Sequence, residues 1–317
     1  MKMPHLRLLG LIYNQPHAVL PSMMDMAETW AANTLQLNLV NVAAGSDELW
    51  EPSAARGDAE RMAAAHATGV QTVPVHGVLM PRSIHMDPCT TATNYEALRQ
   101  QISAAVNDPQ IDHVVLDIDS PGGSVAGCFE LAQDIRTWSQ QKPITAVVNY
   151  GAYSAAYALA SAASQIVVAP SSGVGSIGVI ARHADISGRN AQQGVKVTSI
   201  YAGARKNDLS PHEPLSDDAS ARLQQHVDSS YQTFVNTVSA HRGLSPEAVR
   251  GTEADVFHGA DAVAQGLADR VETPQAAMNR IAAEVADARR QRTTTTIAPR
   301  RASIAMRARA ADIATSM

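Results

Sequence analysis

Ile144-Thr-Ala-Val-Val-Asn-Tyr-Gly-Ala-Tyr-Ser-Ala-Ala-Tyr157 decides how this chain folds. Its opening residues, Ile144 to Asn149, are apolar enough for a buried strand, and alanine dominates from Ala155 to Ser164, where a helix is expected. Ser154 stands on the turn between the two. A serine there presents its hydroxyl at the carboxyl edge of a sheet, where open α/β folds bind ligands. The helix that starts at the next residue points its free amides at any anion formed in front of it. That setting suits a nucleophile.

Outward from this unit the alternation repeats. Upstream, Thr72 to Met80 reads as a strand whose Pro74 and Gly77 favour an edge or bulged position. Asn94 caps a helix carrying Leu98, Ile102 and Val106 on one face, and Asp108-Pro109 stops it. Ile111 to Ile118 is a mostly apolar strand. A second helix buries Phe129, Ala132, Ile135 and Trp138. Downstream come a strand at Gln165–Ala169, a glycine-punctuated strand at Gly173–Val179, a short helix at Ser187–Gly194 and a strand at Val195–Tyr201. Asp217 opens a long helix reaching His241, with Leu223, Val227, Tyr231, Phe234 and Val238 at core spacing. Gly259–Gly266 reads as a helix and Leu267–Val271 as a strand. Strands and helices alternating in this way predict an α/β fold of repeated βαβ units with a mainly parallel sheet and helical elements toward the C-terminus. The predicted division is a partly helical N-terminal extension over 1–70 (helical stretches at Met23–Leu35 and Ala55–Thr68), a catalytic domain over 71–275, and a helix with a basic, flexible tail over 276–317.

Lys206 follows Ser154 by 52 positions, in Tyr201-Ala-Gly-Ala-Arg-Lys-Asn207. Of 25 basic side chains only Lys2, Lys142, Lys196 and Lys206 are lysine. Arginine serves wherever a plain positive charge is wanted, and arginine cannot lose its proton. A desolvated lysine can, and its neutral amine can take a proton from a serine. Lowering a lysine pKa from ~10.4 to ~7–8 disfavours the charge by roughly 3 to 4 kcal/mol, which burial in an apolar cleft supplies. On the opposite side, Ser120-Pro-Gly-Gly-Ser124 places two glycines after a strand, so a backbone amide can approach a substrate with no Cβ in the way. The amides of Gly122 or Gly123, with that of Ala155, compose a candidate oxyanion hole.

Asp119-Ser-Pro-Gly-Gly123, Ser154-Ala-Ala-Tyr157, Gly175-Ser-Ile-Gly-Val179 and Lys206 together resemble the signal peptide peptidase A family of serine-lysine proteases. Val256-Phe-His-Gly-Ala-Asp-Ala-Val-Ala-Gln-Gly-Leu-Ala-Asp269 resembles a further signature of that family, with His258 where a small hydroxyl residue is usual. Within the family, Tyr13-Asn-Gln-Pro16 and the alanine-rich prelude resemble the head maturation (capsid assembly) proteases of lambda-like phages. In those proteins a scaffolding extension follows the protease; here a short basic tail follows. The resemblance implies a Clp/crotonase-type fold and homo-oligomeric rings in which serine and lysine meet across a subunit boundary. It implies scaffold, portal or capsid proteins as substrates, and Ser176 as the residue that holds the lysine amine. It also implies work in the host cytoplasm, inside assembling proheads.

Composition narrows the alternatives. A net charge of −5 and a pI near 6.1 argue against a general nucleic-acid binder. The tail, with Arg289, Arg290, Arg292, Arg300, Arg301, Arg307 and Arg309 and no acid until Asp312, is the one segment suited to an assembly partner or nucleic acid. Cys89 and Cys128 have no metal or redox spacing and read as reduced thiols of a cytosolic protein. His85 and Cys89 have no further ligands near them, so neither a metal nor a cofactor is expected, and no apolar run is long enough for a membrane span. Other readings remain open: a Ser-His-Asp triad using His183 and Asp185, a crotonase-type acyl-CoA enzyme, a cellular signal-peptide-peptidase-like protease, and a catalytically silent assembly component.

Overall fold

A computed structural model describes residues 15–25, 53–82 and 92–292. In chain order its strands are β1 (His17–Val19), β2 (Val70–His76), β3 (Val78–Met80), β4 (Ala92–Asn94), β5 (His113–Ser120), β6 (Gly122–Ser124), β7 (Ile144–Tyr153), β8 (Gln165–Val168), β9 (Gly173–Gly175), β10 (Val256–His258) and β11 (Arg270–Val271). The helices are α1 (Ser53–Thr68), α2 (Tyr95–Asn107), α3 (Cys128–Ser139), α4 (Ala155–Ser161), α5 (Ser187–Gln192), α6 (Asp217–Arg242), α7 (Pro246–Arg250) and α8 (Gly259–Ala264), followed by α9 through residues 274–292.

β7 organises the larger, seven-stranded sheet. One edge pairs along its length with β5, which pairs in turn with β2. The other edge is shared: β8 takes Thr145–Val148, and β9 takes Gly151–Tyr153. All pairings in this sheet are parallel except β10 on β9. Parallel strands need their faces covered. Beneath lie α2, α3, α4 and α6, whose Leu98, Ile102, Leu131, Ile135, Leu159, Phe234 and Val238 are buried in one cluster with Leu116, Ile118 and Val148. On the opposite face α9 lays Ala277, Ile281 and Val285 against Val70, Val115, Val147 and Val167. The result is a mixed α/β fold of βαβ units with a mainly parallel sheet.

The ends of the helices follow the residues that cap them. The Asn94 side chain accepts from the Ala97 amide at 2.6 Å and opens α2, and Ser216 does the same for α6 through Ala219 at 3.2 Å. Gly243, at φ 67°, ends α6 in the left-handed conformation. A second, four-stranded sheet in the order β1-β6-β3-β4 stands at the carboxyl ends of the first. The chain passes between the two sheets at Ser120-Pro121-Gly122, directly after β5.

Several sequence expectations change. The single strand expected over Thr72–Met80 is two, broken at Gly77, whose φ is 69°. Pro74 does sit on the sheet's edge strand. Gly173–Val179 is extended strand only as far as Gly175, because Ser176 turns the backbone to φ 51°. Leu267–Val271 supplies only the two residues of β11. No strand forms over Val195–Tyr201: nothing among the described residues pairs with it, and Val195, Val197, Ile200 and Tyr201 all face solvent. Of the helix expected over Met23–Leu35, only residues up to 25 are described, within a helical turn at 21–25. The rest of that stretch, His85, Cys89 and the basic tail beyond 292 lie outside the described residues.

Candidate active site

Ser154 is the junction between β7 and α4, and its backbone is bent to φ 55°, ψ −117°. For a residue with a Cβ that conformation costs on the order of 1–3 kcal/mol, so the surroundings must impose it. They do so from both sides. β9 holds the strand up to Tyr153, and the Ser154 amide donates to the Gly175 carbonyl at 2.8 Å. Beyond it, all seven residues of α4 are buried, and the Ser154 carbonyl accepts from Ala158 at 3.0 Å. The Tyr157 hydroxyl ties the same helix to the Leu267 carbonyl at 2.9 Å. Alanine at 155, 156, 158 and 160 lets the helix sink this far into the core. Ser154 itself is 0% exposed, and its hydroxyl donates to the Gly178 carbonyl at a long 3.3 Å.

Facing it is the glycine turn. At Gly122, φ is 100°, and a Cβ would meet the Ala18 carbonyl oxygen at 2.3 Å, the Tyr153 oxygen at 2.9 Å and the Ala155 nitrogen at 3.1 Å. At Gly123 a Cβ would lie 1.9 Å from the Leu79 oxygen. Both positions therefore need glycine, one for conformation and space, the other for space alone. The Gly122 amide donates to the Ser120 hydroxyl at 3.2 Å. Ala155 is the first residue of α4, so its amide has no acceptor within the helix. Ser154, Gly122 and Ala155 are thus close neighbours.

Ser176 joins this group through β9, since it follows Gly175, the acceptor for Ser154. It is nearly buried, its amide donates to the Asp255 carbonyl at 2.8 Å, and its hydroxyl takes no hydrogen bond among the described residues. Lys206 does not join it within one chain. The lysine is exposed on a loop after Gly203, and its side chain makes no hydrogen bond or ion pair among the described residues. Its neighbours are engaged: Arg205 pairs with Asp218, and Arg222 holds Asp208 at 2.6 Å. The cavity that Lys206 lines, about 670 Å³, is bordered by Asp208, Leu223 and His226 and by none of the serine-side residues. The apolar cleft expected around the amine is not formed by the described residues of one chain.

The triad alternative gains no geometry. The Ser154 hydroxyl bonds Gly178, not His183, and Asp185 is engaged by Ser187, whose side chain first and amide (at 2.8 Å) second lower its pKa. Among the described residues no group of three or more His, Cys, Asp or Glu is placed to hold a metal, and no helix is long and apolar enough to cross a membrane. Cys128 is buried under α4, where burial pushes its thiol up to about 12, an inert packing group. Sequence reasoning missed the Gly178 carbonyl and missed β1, which lies alongside the glycine turn. The only earlier signal for β1 was the short apolar stretch after Pro16.

Residues 136–288 match peptidase family S49. The chain is 33% identical over 299 residues to the capsid assembly protease C of Escherichia phage lambda, covering 92% of this chain and 67% of that protein. It is 42% identical over 203 residues to the head-tail preconnector protein GP5 of Enterobacteria phage P21, covering 64% of this chain and 40% of that one. It therefore spans about two thirds of the first relative's length and two fifths of the second's. Among solved structures, a 1510-N membrane-bound stomatin-specific protease aligns at TM-score 0.41 and 14% identity, covering 64% of this chain and 79% of that one.

Proposed function

The chain belongs to peptidase family S49, and from that membership we propose that it is a serine endopeptidase acting in phage head maturation. In this reading Ser154 attacks the peptide carbonyl, and the amine of Lys206, uncharged, takes the hydroxyl proton and returns it to the leaving amine. The Ala155 amide, with Gly122 or Gly123, stabilises the oxyanion; water then frees the acyl-enzyme. Ser176 holds the amine through its unengaged hydroxyl. Scaffold, portal or capsid proteins are the substrates, in keeping with the names of the phage relatives. The observation that carries the proposal is Ser154 itself: a strained, buried serine at the start of a helix, beside a turn where neither glycine tolerates a side chain.

The lysine comes from a second copy. Lys206 stands exposed on an arm whose Val195, Val197, Ile200 and Tyr201 are also exposed, and the N-terminal half of α6 beside it leaves Leu223 and Val227 only half-buried. Such an unpaired apolar arm is suited to cover a neighbouring subunit and to desolvate the amine there. The test is complementation. Ser154→Ala and Lys206→Ala are each expected to be inert on a denatured phage scaffold protein, and co-assembly of the two restores part of the cleavage. Two inert variants that stay inert when co-assembled contradict a shared site. Cleavage that survives in Lys206→Arg removes the dyad altogether.

A further inference from the structure

The chain lays one of its own segments across the candidate active site. β1 runs antiparallel to β6, with Val19 opposite Gly122 and Ala18 opposite Gly123, and the Leu20 amide donates to the Pro121 carbonyl at 3.0 Å. On its other edge β1 meets the segment that follows Ser176: the His17 amide donates to Ile180 at 2.7 Å, and the Ile180 amide donates to His17 at 2.8 Å. One short strand therefore bridges two walls, the glycine turn and the chain leading away from Ser176. His17, Ala18 and Val19 are 7%, 0% and 8% exposed. An ion pair at 2.6 Å between Asp25 and Arg182 fastens the end of this segment to the same wall.

The position of Ala18 is the informative part. Its carbonyl oxygen lies 2.3 Å from the point where a Gly122 side chain would begin, and the Ala155 amide nitrogen lies 3.1 Å from that point. A peptide carbonyl already occupies the nook between the glycine turn and the first amide of α4. A polypeptide bound for attack by Ser154 needs the same nook for its scissile carbonyl. It would also use the same two rows of backbone donors and acceptors, in the manner of a strand added between two edges.

We propose that residues 15–20 are an internal strap filling the substrate groove, and that an extended polypeptide engages Ser154 only when the strap leaves. This rests on Ser154 being the nucleophile. Because the strap is tethered, it competes at an effective concentration of roughly millimolar, and the reactive fraction falls with the open population.

The test locks and frees the strap. His17 and Ile180 form a mutually hydrogen-bonded antiparallel pair, whose Cα spacing of about 5.5 Å suits a disulfide. In the full chain carrying His17→Cys and Ile180→Cys, the oxidised protein is expected to react with a fluorophosphonate and to cut denatured casein about tenfold more slowly than the reduced protein. The reduced form of the same molecule is the control. Ala18→Asp, which puts a charge at a fully buried position, is expected to react about tenfold faster than wild type while its thermal transition remains cooperative. Equal rates in the oxidised and reduced forms would overturn the strap, as would a disulfide that does not form under oxidant. Wild-type labelling in Ser154→Ala overturns the nucleophile instead, and inertness of every variant, Ala18→Asp included, overturns both.

Discussion

Around Ser154, all seven residues of α4 are buried, and β9, Gly122 and Leu267 hold the turn from three directions. Around Lys206, every residue from 191 to 206 is exposed, and Ile200 reaches 96%. Both regions carry a residue of the proposed dyad. One is completed by a single chain at a cost in backbone strain; the other has apolar side chains and a cation with nothing set against them among the described residues. A serine elbow needs geometry, and neighbouring strands provide it.

The contrast can be broken most forcefully at Gly122. Gly122→Ala puts a methyl group 2.9 Å from the Tyr153 oxygen and 3.1 Å from the Ala155 nitrogen, contacts independent of the strap, at a backbone φ of 100°. A loss of several kcal/mol in denaturant unfolding and of at least ~10²-fold in fluorophosphonate labelling is expected. Wild-type behaviour at that position would show that the serine side is looser than its geometry implies.

A second test reads the pH dependence of the serine side. His241 on α6 is buried against α4, with Nδ1 3.0 Å from the Ser161 hydroxyl; burial first, then Arg136, lowers its pKa to about 4. The unfolded chain takes up this proton near the ordinary histidine value of ~6.5. Stability from the neutral form is therefore complete above that pH and declines as pH falls from ~6.5 toward 4, by on the order of 2 kcal/mol. His241→Gln should flatten that limb of the stability curve. An unchanged slope in urea melts between those pH values would mean that His241 does not stay neutral in the fold.

A smaller effect is expected from Tyr157→Phe, which removes only the hydroxyl bonded to Leu267. It should lower stability by about 1–2 kcal/mol with the labelling rate of the folded protein unchanged. On the lysine side the expectation is a null. Ile200→Ser should shift the thermal midpoint of a dilute chain by no more than about 0.5 kcal/mol equivalent, yet weaken self-association measured by sedimentation. A large loss of monomer stability would place Ile200 inside its own chain's packing and end the comparison.

Much of the fold was legible because it is local. Asn94 before a periodic apolar face marks a helix start through its own side-chain chemistry, and Asp217 opens the long helix where it was expected to begin. The elbow was legible for the same reason: an apolar strand, a serine and a run of alanines specify strand, turn and helix in order. Val195–Tyr201 was misread because its residues favour strands, while a strand exists only if something pairs with it. Thr72–Met80 was read as one element because the alternation hides a break that a single glycine makes possible.

By itself the sequence determined that Ser154 ends a buried strand and begins a buried helix, and that glycine stands where a side chain would block the approach to it. Those are consequences of residue size and backbone preference within a few positions. Only the tertiary structure decided that the Gly175 carbonyl, next to Ser176, bonds the Ser154 amide, that the cavity lined by Lys206 contains none of the serine-side residues, and that residues 17–19 run beside the glycine turn. Each of these depends on which distant strand supplies a hydrogen-bonding edge, and short-range sequence chemistry does not encode that choice.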